Sequence, residues 1–356
     1  LAPQPNEVWR NNGLGTFTDT GQRLGAQPSR SAALGDLDGD GDLDAFVGNG
    51  ETAGSPTPGW PNQVWLNSGA GVFADSGQRL GASTTTSVEL ADLDGDGDLD
   101  AFVGNELEPA EVWLNDGNAQ FSDSGASLGT GSTWGVALGD LDGDGDPDAV
   151  LARLGHLADP PAPLPNEVWL NDGAGGFADA GARLGNGLST CVAVVDVDGD
   201  GHPDALFGNY QQPDEVWLND GEGHFQDSGQ SLGTTTTRSL ALGDLDGDND
   251  VDAFQGNLAQ PDRVWMNVDR PTATPSATSA ASPSATPTST LTASSTPVIV
   301  APSATPSPTP LVFVTIPNPT LVASAVPPTP TRTPSIAPSP SPTVTPSIAP
   351  TAMPST

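Results

Sequence analysis

The sequence predicts an all-β repeat domain followed by a low-complexity tail, and three observations support this prediction. An acidic ladder of alternating aspartates, which first runs from Asp36 to Asp44, occurs five times in the chain. A second motif that ends in Val-Trp alternates with the ladder and holds six of the eight tryptophans. The ladders start 56, 48, 56 and 48 residues apart. A period of about 50 residues with glycine-rich turns is typical of β-propeller blades rather than of a helical solenoid.

Each repeat unit is predicted to form four short strands. In the second unit these cover residues 87–91, 100–105, 111–115 and 120–124, with the ladder between the first two strands. In most units the first strand alternates large with small residues, a pattern that suits an inner strand between neighbouring sheets. Glu89 interrupts this alternation in the second unit. The predicted fold class is therefore a β-propeller of four-stranded blades with five visible repeats.

Closure of the ring has two interpretations at this stage. In the first, the strands predicted at residues 7–10 and 17–21 complete the blade that begins at residue 240. The Val-Trp strand then occurs once too often, at Trp9 and at Trp265. This redundancy, with the missing initiator Met, leaves open a second interpretation in which the chain is a fragment of a larger ring.

Composition divides the chain into a propeller domain, residues 1–269, and a tail, residues 270–356. From Pro271 onward the tail consists mainly of Thr, Pro, Ser and Ala, with a single charge on Arg332. Such a composition cannot form a packed core, so we expect a disordered stalk or linker whose Ser and Thr residues invite O-glycosylation. No apolar run approaches the ~18 residues of a membrane span, and the chain begins at Leu1 without a basic-apolar leader. We expect no membrane span and a mature or truncated product from which the signal peptide has been removed.

The ladder has the spacing of a calcium loop. Carboxylates at positions 1, 3 and 5 converge on one cation only if the backbone curls, and glycine at position 6 permits that curl. The aspartate at position 9 closes the cage. Carboxylate oxygens with no His or Cys nearby favour calcium over zinc or a redox metal, so we expect up to five calcium ions in a structural role. The predicted side-chain ligands are Asp36, Asp38, Asp40, Asp44, Asp92, Asp94, Asp96, Asp100, Asp140, Asp142, Asp144, Asp148, Asp196, Asp198, Asp200, Asp204, Asp244, Asp246, Asp248 and Asp252.

This ladder resembles the FG-GAP and VCBS repeats of integrin-alpha-like β-propellers, whose pattern is Asp-x-Asp-x-Asp-Gly-x-x-Asp. The resemblance covers residues 1 to about 267, and rings of that family often have seven blades. It implies that a backbone carbonyl at position 7 joins each cage, which adds Asp42, Asp98, Asp146, His202 and Asp250 to the expected metal residues. Asn249 replaces glycine in the fifth loop, but asparagine enters the left-handed region at modest cost. We expect that site to bind calcium, with lower affinity.

Charge and cysteine content exclude several classes of partner. The formal net charge is -35 and the chain contains no lysine, so nucleic acid and anionic membranes are poor partners. Cys191 is the only cysteine, which excludes an intrachain disulfide. It lies in an apolar strand and is expected to be buried and inert.

Residues that break the repeat are better candidates for ligand binding than those that recur in it. Six positions before the ladders stand Arg30, Thr86, Trp134, Thr190 and Arg238. We expect them at the channel mouth on the metal-free face, near Trp60 and Tyr210. Arginine beside tryptophan can hold a sugar, a carboxylate or an anionic side chain. The candidate ligand residues are Arg30, Trp60, Trp134, Tyr210 and Arg238, and ordinary surface decoration is the competing interpretation for each.

The sequence therefore favours an extracellular protein, secreted or at the cell surface, whose calcium-stabilised propeller binds a glycan or a surface protein in adhesion. Enzymatic activity is not expected, because only His156, His202 and His224 offer neutral-pH bases and no nucleophile motif accompanies them. Two alternatives stay open. One is a carbohydrate-active enzyme, a hydrolase or lyase, with acids from Glu51, Asp159 and Asp214. The other is a purely structural surface spacer. The oligomeric state is not predicted.

Overall fold

The structure is a computed structural model, and it describes residues 4–50, 59–155, 164–186, 188–268 and 313–315. Every regular element in these ranges is a β-strand, and none is a helix. No helix that could span a membrane occurs among the described residues. The first two strands, β1 (Asn6–Asn11) and β2 (Phe17–Leu24), form a two-stranded sheet of their own.

The remaining strands form five four-stranded antiparallel blades in a propeller ring, as the repeat period predicts. The first blade contains β3 (Ser29–Gly35), β4 (Asp44–Asn49), β5 (Gln63–Asn67) and β6 (Phe73–Asp75). The second contains β7 (Thr84–Ala91), β8 (Asp100–Glu106), β9 (Glu111–Asn115) and β10 (Phe121–Asp123). The third contains β11 (Thr133–Gly139), β12 (Asp148–Arg153), β13 (Asn166–Asn171) and β14 (Phe177–Leu184). The fourth contains β15 (Ser189–Val195), β16 (Asp204–Asn209), β17 (Asp214–Asn219) and β18 (Phe225–Leu232). The fifth contains β19 (Thr237–Gly243), β20 (Asp252–Asn257), β21 (Arg263–Asn267) and β22 (Phe313–Thr315).

Each blade is a meander in which neighbouring strands in sequence are neighbours in the sheet. The first strand is innermost, and β3 packs on β7, β7 on β11, β11 on β15, and β15 on β19. The acidic ladder connects the first strand of each blade to the second. The second and third strands are connected at the opposite end of the blade, so the ladders lie on one face of the propeller and those connections on the other.

The core lies between blades, because each sheet covers an apolar face of the next. Phe46 of the first blade packs edge-on against Phe121 of the second, with ring centroids 5.3 Å apart. Phe102 of the second blade meets Phe177 of the third in the same way at 5.4 Å. Each pair joins the second strand of one blade to the fourth strand of the following blade. Residues that repeat in the sequence therefore make the same packing contact at successive blade interfaces.

A polar bridge also recurs between blades. The side-chain amide of Asn115, at the end of β9, donates to the carbonyl of Leu37 in the ladder of the preceding blade at 2.9 Å. The equivalent bonds run from Asn171 to Leu93, from Asn219 to Leu141 and from Asn267 to Val197. The asparagine and the ladder carbonyl are both buried in this contact, so the bond satisfies polar groups that would otherwise destabilise the interface.

The fifth blade corrects one of the two interpretations of ring closure. The edge of β21 pairs with β22, with Trp265 opposite Thr315 as Trp113 is opposite Asp123. The strands β1 and β2 do not join this sheet. Because β1 carries the Val-Trp motif of a third strand, it has no place in a sheet where β21 already fills that position. Apart from β22, the predicted stalk at residues 270–356 lies outside the described residues.

Candidate functional site

The acidic side chains of the ladders converge as a metal cage requires. In the first loop, one carboxylate oxygen from each of Asp36, Asp38 and Asp40 lies within 4.8 Å of the other two. The second loop brings Asp92, Asp94 and Asp96 together in the same way. In the third and fourth loops the converging positions are 1, 3 and 9, namely Asp140, Asp142 and Asp148, and Asp196, Asp198 and Asp204. These donor sets contain only carboxylate oxygens, so they fit a hard divalent cation such as calcium.

The loop backbone curls around this cluster through positive φ angles. Gly41, at position 6, has φ of +91°, and its N–H donates to Asp36 at position 1 over 2.9 Å. In the fifth loop Asn249 adopts φ of +73° and donates to Asp244 over 3.2 Å. Asparagine therefore takes the left-handed conformation expected for it and also keeps the hydrogen bond to position 1.

The aspartate at position 9 also accepts hydrogen bonds from two backbone N–H groups, a structural role that the sequence did not predict. Asp100 is buried, and its two carboxylate oxygens accept the N–H of Leu93 at 2.9 Å and the N–H of Asn115 at 2.7 Å. The same pair of bonds recurs at Asp44, Asp148, Asp204 and Asp252. Each of these carboxylates fastens its ladder to the third strand of its own blade.

Burial dominates the electrostatics of three of these position-9 carboxylates. Desolvation raises the pKa of Asp100 and Asp148 to about 6 and that of Asp204 to about 7, although the two backbone N–H groups oppose the shift. A cation bound in the loop would favour the ionised carboxylates and so offset the cost of their burial.

The side chains at position 7 point away from the cluster. A Cβ added to Gly117, in the turn between β9 and β10, would lie 2.3 Å from the carboxylate of Asp98. Gly69, Gly173 and Gly221 have the same relation to Asp42, Asp146 and His202. This leaves the backbone carbonyl as the group that position 7 can offer to a cation, which is the contribution that the family resemblance implies for His202.

On the opposite face, three of the five candidate ligand residues come together. The guanidinium carbon of Arg30 lies 5.1 Å from the ring centroid of Trp134, and that of Arg238 lies 5.7 Å from it. Arg30 also forms an ion pair of 2.6 Å with Glu106, a partner that sequence reasoning missed. These residues come from the first, second, third and fifth blades, so the propeller assembles a cluster that no single repeat contains.

The other two candidates lie in neighbouring loops. Trp60 precedes β5, and the adjacent Gly59 lies against the backbone of Ala82 and Ser83. Tyr210 follows β16 and donates its N–H to the carbonyl of Leu188 at 2.8 Å. Both loops lie at the end of the blades opposite the ladders.

Three of the residues considered for an enzymatic function lie outside the described residues, namely Glu51, Asp159 and His156. The surroundings of Asp214 and Cys191 are described, and they do not suit catalysis. Asp214 is buried, accepts bonds from Thr237 at 2.8 Å and from Gln255 at 2.5 Å, and has its pKa raised by burial to about 6. Burial likewise raises the pKa of Cys191 to about 12, so little nucleophilic thiolate forms near neutral pH.

Comparison with known proteins identifies the repeat. The profile of the FG-GAP-like repeat matches residues 2–47, 53–103, 92–151 and 196–254. No curated protein sequence matches the chain significantly. The structure is similar to that of BBS1N in complex with ARL6DN, with TM-score 0.48, 9% identity, and coverage of 71% of this chain and 69% of that one. It is also similar to the biofilm matrix protein Bap1 of V. cholerae, with TM-score 0.44, 16% identity, and coverage of 74% of this chain and 40% of that one.

The family assignment rests on the profile, because its matches cover more than half of the chain. The two similar structures are too distant in identity and in TM-score to bear on function. Repeat profile, blade architecture and converging ladders agree with one another, and the chain belongs to the FG-GAP-like repeat family.

Proposed function

We propose that this protein is an extracellular, calcium-stabilised binding module that holds a glycan or a surface protein on the face opposite its ladders. Propellers of this repeat family typically serve as binding or structural modules. The observation that carries the proposal is the meeting of Arg30 and Arg238 over the ring of Trp134. The equivalent positions in the other two blades hold Thr86 and Thr190, so this cluster departs from the repeat where a binding site needs only one copy.

The chemistry of the cluster suits an anionic or sugar ligand. Arginine presents forked N–H donors that match a carboxylate, and the indole ring offers a flat apolar surface. Glu106 neutralises Arg30, whereas the side chain of Arg238 is exposed. In a chain of net charge -35, the exposed guanidinium of Arg238 makes a local positive site that attracts negative ligands.

Calcium enters the proposal as a structural ion. The carboxylates at positions 1, 3, 5 and 9 leave little room around a cation for an oxygen atom of the ligand. When no cation is bound, the carboxylates within each loop repel one another strongly. Binding of a cation to the folded loops alone stabilises the protein by about 2.7 kcal/mol per site at a hundredfold excess over Kd. The extracellular location is consistent with low-affinity calcium sites, which occur in extracellular modules.

The ligand proposal is tested on a glycan array and against surface proteins, with the full chain in about millimolar calcium. Trp134→Ala and Arg238→Ala should each abolish or strongly weaken binding. Arg79→Ala is the matched control, because Arg79 is an exposed arginine that pairs with Asp75 in the first blade. Equal loss in all three variants would contradict the proposed site, and absence of any ligand for folded protein would favour a structural spacer.

The calcium proposal is tested separately by thermal unfolding with and without a chelator. Chelation should lower the melting temperature substantially and magnesium should restore it poorly, since magnesium demands a smaller octahedral site. An unchanged melting temperature would contradict calcium binding while leaving the ligand proposal to its own test.

A further inference from the structure

Glu89 breaks the pattern of the innermost strands. Its position in the blade is defined by strand pairing, because Glu89 stands opposite Phe102 of β8 as Ala33 stands opposite Phe46 of β4. In the first strands of the other four blades the equivalent residues are alanines, namely Ala33, Ala137, Ala193 and Ala241. Because alanine satisfies the fold four times at this position, the carboxylate in the second blade is not required by the architecture and is a candidate for function.

The side chain of Glu89 borders the central channel. Val88, one residue earlier, is only 3% exposed between the blades, whereas Glu89 is exposed, as the alternation of side chains along a strand requires. The innermost strands β3 and β11 flank β7, and β8 covers its outer edge. The accessible side of β7 is therefore the side that faces the channel. Ala137 and Ala193, at the equivalent positions, are partly accessible as well.

Nothing in the protein compensates the charge of this carboxylate. Glu89 has no ion-pair partner among the described residues, and desolvation raises the pKa of its carboxyl. A carboxyl that solvent reaches and that is nevertheless desolvated lies in a concave place, close to many protein atoms. The methyl groups of the equivalent alanines leave space there but offer no hydrogen-bond donor. The channel therefore holds one negative charge in largely apolar surroundings.

The positive groups nearest to the channel are engaged elsewhere. Thr86, the equivalent of Arg30 and Arg238, precedes Glu89 by three residues, which is about 10 Å along a strand. Both arginines contact the ring of Trp134 at the mouth opposite the ladders. The chain contains no lysine. A counter-charge for Glu89 must therefore come from outside, and the negative ladder face attracts cations whereas the arginine-lined mouth repels them.

We propose that the central channel binds a primary alkylammonium group on Glu89, and that this group enters from the ladder face. The ammonium donates to the carboxylate, and its alkyl stem lies against the alanines of the channel. A lysine side chain has this division between a charged head and an apolar stem, and a free alkylamine has it too. Calcium does not suit the position, because it takes about six to eight oxygen ligands and a single carboxylate among alanines supplies only two. The site is separate from the cluster around Trp134.

The experiment titrates the full chain with two amines, n-butylamine and Nα-acetyl-lysine N-methylamide, at constant ionic strength in about millimolar calcium. Ligand-observed NMR follows binding up to about 50 mM amine, because a single small group binds weakly. Each amine should saturate at one molecule per chain. Saturation by n-butylamine alone would also support the proposal and would restrict the site to free amines. The matched control probe is n-butanol, which has the same stem without the charge and should not bind.

Matched variants locate the binding. Glu89→Gln should weaken it at least about tenfold, a change of 1.4 kcal/mol. This variant keeps the shape of the side chain and removes only an uncompensated charge, so unfolding does not explain the loss. Glu215→Gln should leave binding unchanged, because Glu215 is half-buried on β17 and accepts the indole N–H of Trp217 at 3.2 Å.

Three outcomes would overturn the proposal. The first is that the folded chain binds neither amine, or binds n-butanol equally well. The second is amine binding that Glu89→Gln does not weaken. The third is the loss of one bound calcium ion in Glu89→Gln, counted by equilibrium dialysis, which would assign the channel to a metal instead of an ammonium group.

Discussion

Individual charged residues inside this propeller differ in how well their charge is compensated. Arg153 is buried, and its guanidinium pairs with Glu167 at 2.6 Å and donates to the carbonyls of Ser132 and Thr130. Glu89 lies on an inner strand and has no ion-pair partner among the described residues. Its side chain is exposed, yet desolvation raises the pKa of its carboxyl. The surroundings of Arg153 therefore stabilise its charged form, whereas the surroundings of Glu89 destabilise its charged form.

Breaking the compensated pair should be costly. Glu167→Gln keeps the shape of the side chain but leaves the guanidinium of Arg153 buried beside a neutral group. We expect a loss of about 3 kcal/mol in the free energy of unfolding, measured by chemical denaturation. Asp179→Asn is the control, because Asp179 pairs with Arg183 at the surface, where an ion pair contributes ~0–1 kcal/mol. Equal losses for the two variants would contradict the buried role of Arg153.

Removing the uncompensated charge should be stabilising. The folded protein holds the Glu89 proton more tightly than the unfolded chain does, so this residue lowers stability as pH rises above its ordinary pKa of 4.5. Glu89→Gln should therefore raise the free energy of unfolding at neutral pH by about 0.5 kcal/mol, a small gain because the side chain is partly solvated. The gain should vanish below the ordinary pKa, and a gain that persists there would have another cause.

The acidic ladder is the element whose chemistry depends most on its surroundings. Ladder spacing alone predicted the converging carboxylates and the curl at position 6. It did not predict that Asp100 binds the N–H of Asn115, because that bond depends on where the third strand ends relative to the loop. The cluster of Arg30, Trp134 and Arg238 was predictable as a set of equivalent positions, whereas Glu106 required the actual path of β8.

The raised pKa values of three position-9 aspartates, Asp100, Asp148 and Asp204, should make the effect of calcium on stability depend on pH. Without metal, Asp100 and Asp204 bind protons more tightly when folded, so stability falls as pH rises from the ordinary value of 3.8 to about 6 or 7. Calcium requires the ionised carboxylates, so protons compete with it once the pH falls below the folded pKa values of about 6 and about 7. The gain in melting temperature on adding calcium should therefore be large at about pH 7.5 and small at about pH 5. A gain that is constant over this range would contradict involvement of these residues in the cage.

For the whole molecule, the sequence repeat predicts the blades that recur, but it does not predict the strands that lie outside the regular repeat. The ladder period predicted five blades of four strands, and the strand pairing confirms them. It did not predict β22, because Phe313–Thr315 lies in a segment whose composition resembles a linker. Nor did it place β1 and β2, since the Val-Trp motif identifies a third strand but not the blade to which it belongs. Which strand pairs with the edge of a sheet depends on the arrangement of the whole ring, and the local sequence of the edge strand does not specify it.

The polar bridge between blades links neighbouring acidic ladders directly. The backbone N–H of Asn171 is held by Asp148 of one loop, while its side-chain amide holds Leu93 of the preceding loop. An ion that fixes Asp148 therefore also fixes Asn171, and through it the backbone of the preceding ladder at Leu93. Calcium should consequently bind with positive cooperativity, and a calorimetric titration should give a Hill coefficient above one. Asn171→Ala should reduce this coefficient without removing any ligand, whereas independent sites would titrate identically in both proteins. The ring would then act as a calcium threshold detector, folded tightly above one concentration and loosened together below it.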